Sequence, residues 1–121
     1  MTVLIVEDDL TRALTLKKYL QMNSIKVITA EDGFGAMKIL ENEVPDLILS
    51  DANMPGMDGY SLVKNVKSDE HTKRIPFFLY SSRNIPQDNE QLAYRFGVNR
   101  CITNIDVDEI GHEALLAFNA I

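Results

Sequence analysis

Three consecutive acids, Glu7-Asp8-Asp9, close the apolar run Val3-Leu4-Ile5-Val6, and a second apolar run, Leu47-Ile48-Leu49-Ser50, ends on another acid, Asp51. If both runs are buried parallel strands, Glu7, Asp8 and Asp51 converge at one end of a single sheet. Two like charges about 4 Å apart cost roughly 4 kcal/mol at an effective dielectric near 20, a large share of the ~5–15 kcal/mol stability of a typical domain. A cation or a phosphoryl group would organise such a cluster. A hard ion such as Mg²⁺ takes oxygen ligands in near-octahedral geometry, usually keeping several waters and one or two carboxylates. Asp8, Asp51 and one backbone carbonyl would suffice, with Glu7 acting through water. Asp9 reads differently, as the cap of the next helix, where its charge meets the positive end of the helix dipole.

The elements that must position these acids alternate in type. Strand-like runs at Thr2–Val6, Ile25–Thr29, Leu47–Ser50, Phe77–Tyr80 and Arg100–Thr103 are interleaved with helical patterns at Leu10–Met22, Phe34–Asn42, Tyr60–Lys67, Gln87–Phe96 and Val107–Ala120, which makes five βα units. In the last helix Val107, Ile110, Ala114, Phe118 and Ile121 form an apolar stripe, leaving Asp108, Glu109, Glu113 and Asn119 to water; Ala13, Leu16 and Leu20 form the stripe of the first. Parallel strands joined by helical crossovers give an α/β, doubly wound (βα)₅ sandwich with flavodoxin-like architecture. With strand order 2-1-3-4-5, the ligand crevice falls between the carboxyl ends of the first and third strands, which is where Glu7, Asp8 and Asp51 stand. After Asp51, the loop Ala52-Asn53-Met54-Pro55-Gly56-Met57-Asp58-Gly59 fixes a tight turn and holds the carboxylate still.

Composition narrows the partners. A chain of 121 residues is long enough to bury a core without metal or disulfide staples. A formal net charge of −6 and a pI near 4.8 argue against direct nucleic-acid binding, which needs clustered Lys and Arg, and favour a protein or a small cation. The single cysteine, Cys101, has no internal disulfide partner and reads as a small buried hydrophobe. There is no signal-like leader and no apolar run approaching the ~18 residues of a membrane span, so the expected compartment is cytoplasmic, without membrane association. No linker or repeat interrupts residues 1–121, so one domain without an output domain is expected.

With these residues in place, the chain resembles the receiver domains of two-component response regulators, in the CheY-like superfamily. The resemblance rests on VLIVEDD, on the long and specific PDLILSDANMPGMDG, and on IPFFLYSS at the fourth strand. It implies that Asp51 accepts a phosphoryl group, that Glu7 and Asp8 are the acid pair with Asp8 a direct Mg²⁺ ligand, that Asn53 gives its backbone carbonyl to the metal, and that Ser81 hydrogen-bonds a phosphoryl oxygen. The partners implied are a histidine kinase or histidine phosphotransfer protein upstream and a downstream protein or output domain, with a homodimer as a further option. Slow self-catalysed dephosphorylation would end the signal.

The chain also departs from the family. Where receivers ordinarily carry Lys-Pro, it has Asn104-Ile105; an amide can hydrogen-bond a phosphoryl group but brings no charge. By analogy with losing one transition-state donor, the rate could fall by roughly 10²–10³. Cys101 replaces the usual Tyr or Phe of the phosphorylation switch, and Arg83 is a candidate for part of the missing charge. A second reading follows, a degenerate receiver that binds proteins independently of phosphorylation.

A flavodoxin-like electron carrier would need a hydroxyl- and glycine-rich phosphate loop where this chain has EDDLTR. A Mg²⁺-dependent phosphatase or nuclease would need a second nucleophile, a His pair or a P-loop. His71 and His112 are isolated, Phe77, Phe78 and Tyr80 read as sheet core, and Gly33-Phe34-Gly35 as a helix start.

Overall fold

The computed structural model describes residues 1–81, 87–103 and 106–119, Asn119 by its backbone alone. Arg83, Asn104, Ile105, Ala120, Ile121 and the Asn119 side chain lie outside the described residues. In chain order the elements are β1 (Thr2–Val6), α1 (Leu10–Met22), β2 (Lys26–Ala30), α2 (Gly33–Leu40), β3 (Leu47–Asp51), α3 (Gly59–Ser68), β4 (Phe77–Tyr80), α4 (Gln87–Phe96), β5 (Arg100–Ile102) and α5 (Val107–Asn119). The strands form one five-stranded sheet in the order β2-β1-β3-β4-β5, every pairing parallel. The doubly wound α/β architecture expected from the alternation is the one adopted.

Period-two alternation along the central strands explains why helices cover both faces. Leu4, Val6, Ile48, Phe77 and Leu79 point to one side, where Ala36 and Leu40 of α2, Leu62, Val63 and Val66 of α3 and Ala93 of α4 pack on them. Val3, Ile5, Leu47, Leu49, Phe78 and Tyr80 point to the other, against Leu16 and Leu20 of α1 and Ile110 and Ala114 of α5. Both faces of β1, β3 and β4 are buried, hence their continuous apolar runs, whereas the edge strands β2 and β5 are partly exposed. Each fully buried Leu or Ile contributes about 1.5–3 kcal/mol.

Local chemistry sets several boundaries. Asp9, Asp32 and Asp58 cap α1, α2 and α3, each carboxylate accepting an N–H three residues on, from Arg12, Gly35 and Ser61. The Asp9 cap and the α2 start at the Gly33-Phe34-Gly35 run match expectation. The second strand begins at Lys26, one residue later than expected, because the Ile25 N–H is spent on the Leu20 carbonyl at 3.1 Å and Ser24 turns the chain with a positive φ of 64°. The α5 stripe is buried at Ile110 and Ala114 and half-buried at Val107 and Phe118. Glu113 does not face water as expected: it is half-buried and pairs with Arg100 Nε at 2.7 Å. Cys101 is likewise only half-buried, packed against the α2–α4 side of the core.

One lysine ties the far end of the sheet. Lys67 Nζ donates to the carbonyls of Lys73 and Ile75 and to Asn99 Oδ1, at 3.2, 2.7 and 3.2 Å. The same Asn99 oxygen accepts the Phe77 N–H at 2.8 Å, joining α3, the entry to β4 and the approach to β5. Lys67→Met keeps the aliphatic stem and removes all three donations. It is expected to cost about 2 kcal/mol, read as a lower urea midpoint with an unchanged slope.

Candidate phosphoacceptor and metal site

The site follows from strand register. Val6 of β1 lies opposite Ser50 of β3, so the next residues, Glu7 and Asp51, emerge side by side at the carboxyl edge. Asp51 lies opposite Tyr80 of β4, which brings Ser81 to the same edge. Glu7 and Asp51 are 1% and 3% exposed, so their charges are nearly out of solvent, while Asp8 beside them is exposed. One carboxylate oxygen from each of Glu7, Asp8 and Asp51 lies within 4.8 Å of the others. The sequence-predicted acids are therefore brought together, and three hard oxygen donors at that spacing suit an ion of the Mg²⁺ type.

The loop after Asp51 is built to hold it. The Asn53 N–H donates to Asp51 Oδ1 at 3.1 Å, and the Gly59 N–H to the Ala52 carbonyl at 3.1 Å. Gly56 takes a φ of +77°, which a side chain would resist. Buried Met54 anchors the loop in the core below. The Asn53 side-chain amide donates to Ser81 Oγ at 3.0 Å, so Asn53 bridges the two expected site residues Asp51 and Ser81. Ser81 itself is buried.

Two partners of Glu7 escaped the sequence reading. Tyr80, expected simply as core, is buried, and its hydroxyl donates to Glu7 Oε1 at 2.9 Å. Arg12 Nη1 lies 3.4 Å from the same oxygen and 3.8 Å from Asp51 Oδ2. Glu7 is thus a buried, multiply bonded group. A signal for Arg12 was present: it sits in the first turn of α1, and helical side chains lean toward the N-terminus, back over the acids. Tyr80 carried a weaker one, since a buried tyrosine hydroxyl requires a partner.

The electrostatics reflect this crowding. Burial raises the Glu7 carboxyl from its ordinary 4.5 to about 7, reinforced by the charge of Asp51 and a hydrogen bond to it, and opposed by the Asp9 N–H and the Tyr80 hydroxyl. Asp51 is also raised by burial, with the Asn53 N–H, Glu7 and Arg12 pulling it down and Asp8 pushing it up. Glu7 and Asp51 therefore titrate as one coupled pair, in which burial disfavours two simultaneous negative charges. Burial likewise keeps the Tyr80 phenol well above its usual range, a fixed donor. His71 and His112 are exposed and take no part in this cluster.

Such a sheet, with acids crowded at its central carboxyl edge, defines a class of signalling modules. Residues 3–112 match the response regulator receiver domain family, and the chain belongs to it, within two-component signal transduction. It is 36% identical over 96 residues to the two-component response regulator ARR17 of Arabidopsis thaliana, covering 69% of this chain and 63% of that one, slightly under two thirds of its relative's length. The chemotaxis protein CheY4 of Vibrio cholerae superposes with a TM-score of 0.87 at 27% identity, over 96% of each chain. The phosphorylated cyanobacterial phytochrome response regulator RcpA superposes with a TM-score of 0.81 at 30% identity, over 93% of this chain and 86% of that one. Among the described residues no helix is long and apolar enough to cross a membrane.

Proposed function

We propose that residues 1–121 form a receiver domain whose Asp51 accepts a phosphoryl group from a phosphohistidine, supplied by a histidine kinase or a histidine phosphotransfer protein, in the cytoplasm. The observation that carries this reading is the convergence of Glu7, Asp8 and Asp51 oxygens within 4.8 Å at the sheet's carboxyl edge. Phosphorylation of the related RcpA supports it. Glu7, Asp8, Asp51 and the Asn53 carbonyl would hold Mg²⁺, which when bound supplies the positive charge that lets crowded anionic oxygens approach one another.

The chain's own residues position the reaction. Asp51 attacks phosphorus; the new bond is carboxylate oxygen to phosphorus, and the phosphorus–nitrogen bond breaks with its electron pair leaving on the imidazole. Asn53 fixes Oδ1 of Asp51 by its N–H, which limits the rotamers of the nucleophile. Tyr80 and Arg12 hold Glu7 beside it. The Ser81 hydroxyl, steadied by the Asn53 amide, donates to a phosphoryl oxygen. The extra charge on Asp51 then favours one of two surface packings, to which a downstream protein, an output domain or a second copy responds.

Incubation with Mg²⁺ and acetyl phosphate is expected to add one phosphoryl mass to the protein, with none added to Asp51→Asn or in the presence of EDTA. A protein left unmodified under all three conditions would refute the reading and leave the phosphorylation-independent binding module suggested by Asn104.

A further inference from the structure

We propose that Arg12 is the resident cation of the acid pocket, a built-in counter-ion that a divalent metal must displace to reach Glu7 and Asp51. The inference rests on the metal site proposed above. Among the described residues, Arg12 is the cation within 4 Å of either buried carboxylate, and a single nitrogen, Nη1, faces both, at 3.4 Å from Glu7 and 3.8 Å from Asp51. Its side chain is 24% exposed while those of the two acids are 0% and 5% exposed. The interaction is therefore shielded from solvent far more than an ordinary surface ion pair, whose net worth is small.

Both contacts are long. Tight charge-assisted hydrogen bonds of guanidinium to carboxylate run at about 2.7–2.9 Å and are frequently bidentate. Arg12 has the position of a neutralising charge without that grip. Its backbone is fixed instead: the Arg12 N–H is held by the Asp9 cap at 3.1 Å, so the side chain is what moves. A divalent ion taking oxygens of Asp8 and Asp51 would come within a few ångströms of Nη1, and the two positive charges repel at that range. Metal entry and guanidinium departure are then one exchange, and Arg12 lowers the apparent metal affinity while keeping the acids together in the metal-free protein.

The test is a Mg²⁺ titration of the unphosphorylated protein, followed by calorimetry and by amide shifts of the loop at residues 52–58. Removing the charge in Arg12→Gln, or in Arg12→Met, which retains the apolar stem, is expected to tighten Mg²⁺ binding about tenfold. Arg12→Lys, which keeps a cation on a long side chain, is expected to stay within about threefold of the parent. Mg²⁺ binding to the parent protein with equal or weaker affinity in both neutral variants would overturn the role of Arg12 alone. Absence of Mg²⁺ binding in the parent and all variants would overturn the metal site and this inference with it.

Discussion

In EDTA, the stability of the domain is expected to fall by roughly 2–3 kcal/mol between pH 5 and pH 8 through the coupled Glu7 and Asp51 carboxyls. Glu7 holds its proton to about 7 in the fold against 4.5 as its ordinary value. Between those limits the native state binds a proton that the unfolded chain has released, so stability decreases as pH rises. The penalty is absent below about 4.5, grows through the window and is complete above 7. Asp51, also raised by burial, acts in the same direction. Glu7→Gln keeps the shape and much of the hydrogen bonding to Tyr80 without the titrating group. Its urea midpoint should change little over the range where the parent's drops, and it should be the more stable protein at pH 8. Parallel pH profiles for the two proteins would show that the acid pair is not the origin of the effect. Magnesium should oppose the loss at pH 8, because a ligand bound only by the native state stabilises it in proportion to the logarithm of its concentration over Kd.

Gly59→Ala is expected to cost about 3 kcal/mol or more and to disable the site as well. A Cβ at position 59 would lie 2.5 Å from the Asp51 carbonyl oxygen, 2.5 Å from Leu79 Cδ1 and 2.9 Å from Ala52 Cα. Two of those three atoms are backbone, fixed by the hydrogen bonds of Ala52 to Tyr80 and of Gly59 to Ala52. Relief therefore requires the start of α3 to lift from the end of β3, which carries the Asp51 carboxylate with it. Thermal unfolding measures the cost, and Mg²⁺ affinity reports the displaced carboxylate. Gly35→Ala is the matched control: its Cβ would meet Asp32 Oδ1 at 3.3 Å and the Ala30 methyl at 3.7 Å, contacts that a side chain can ease. The helix preference for alanine offsets that crowding, so a change within about 1 kcal/mol is expected. Equal losses at the two positions would contradict the backbone clash as the cause.

The parts of the molecule legible in its sequence are those fixed by local periodicity. The apolar runs ending at Val6 and at Ser50-Asp51 placed β1 and β3, and their parallel pairing was enough to bring Glu7, Asp8 and Asp51 together. The stripe of Ala13, Leu16 and Leu20 and the Asp9 cap were equally local, and both are as expected. Boundaries slipped where turn chemistry decided them, as at Ile25, whose N–H belongs to the end of α1. The partners that tune the site were harder to read because they arrive from far along the chain. Tyr80 meets Glu7 across 73 positions and Asn53 meets Ser81 across 28, and no pattern within one segment encodes either. Helix phase alone turns Glu113 toward water, yet the edge strand β5 presents Arg100 to it. In each case an isolated segment shows the residue type but not the group it will face.

The buried tyrosine has a practical consequence. The chain has no tryptophan and four tyrosines, and one of these keeps its phenol bonded directly to the acid cluster. Pocket chemistry is therefore wired to an intrinsic chromophore: a change of charge on Glu7 is expected to alter the near-ultraviolet absorbance and emission of Tyr80. Difference spectra against Tyr80→Phe cancel the background of Tyr19, Tyr60 and Tyr94, giving a dye-free optical record of the pocket in real time.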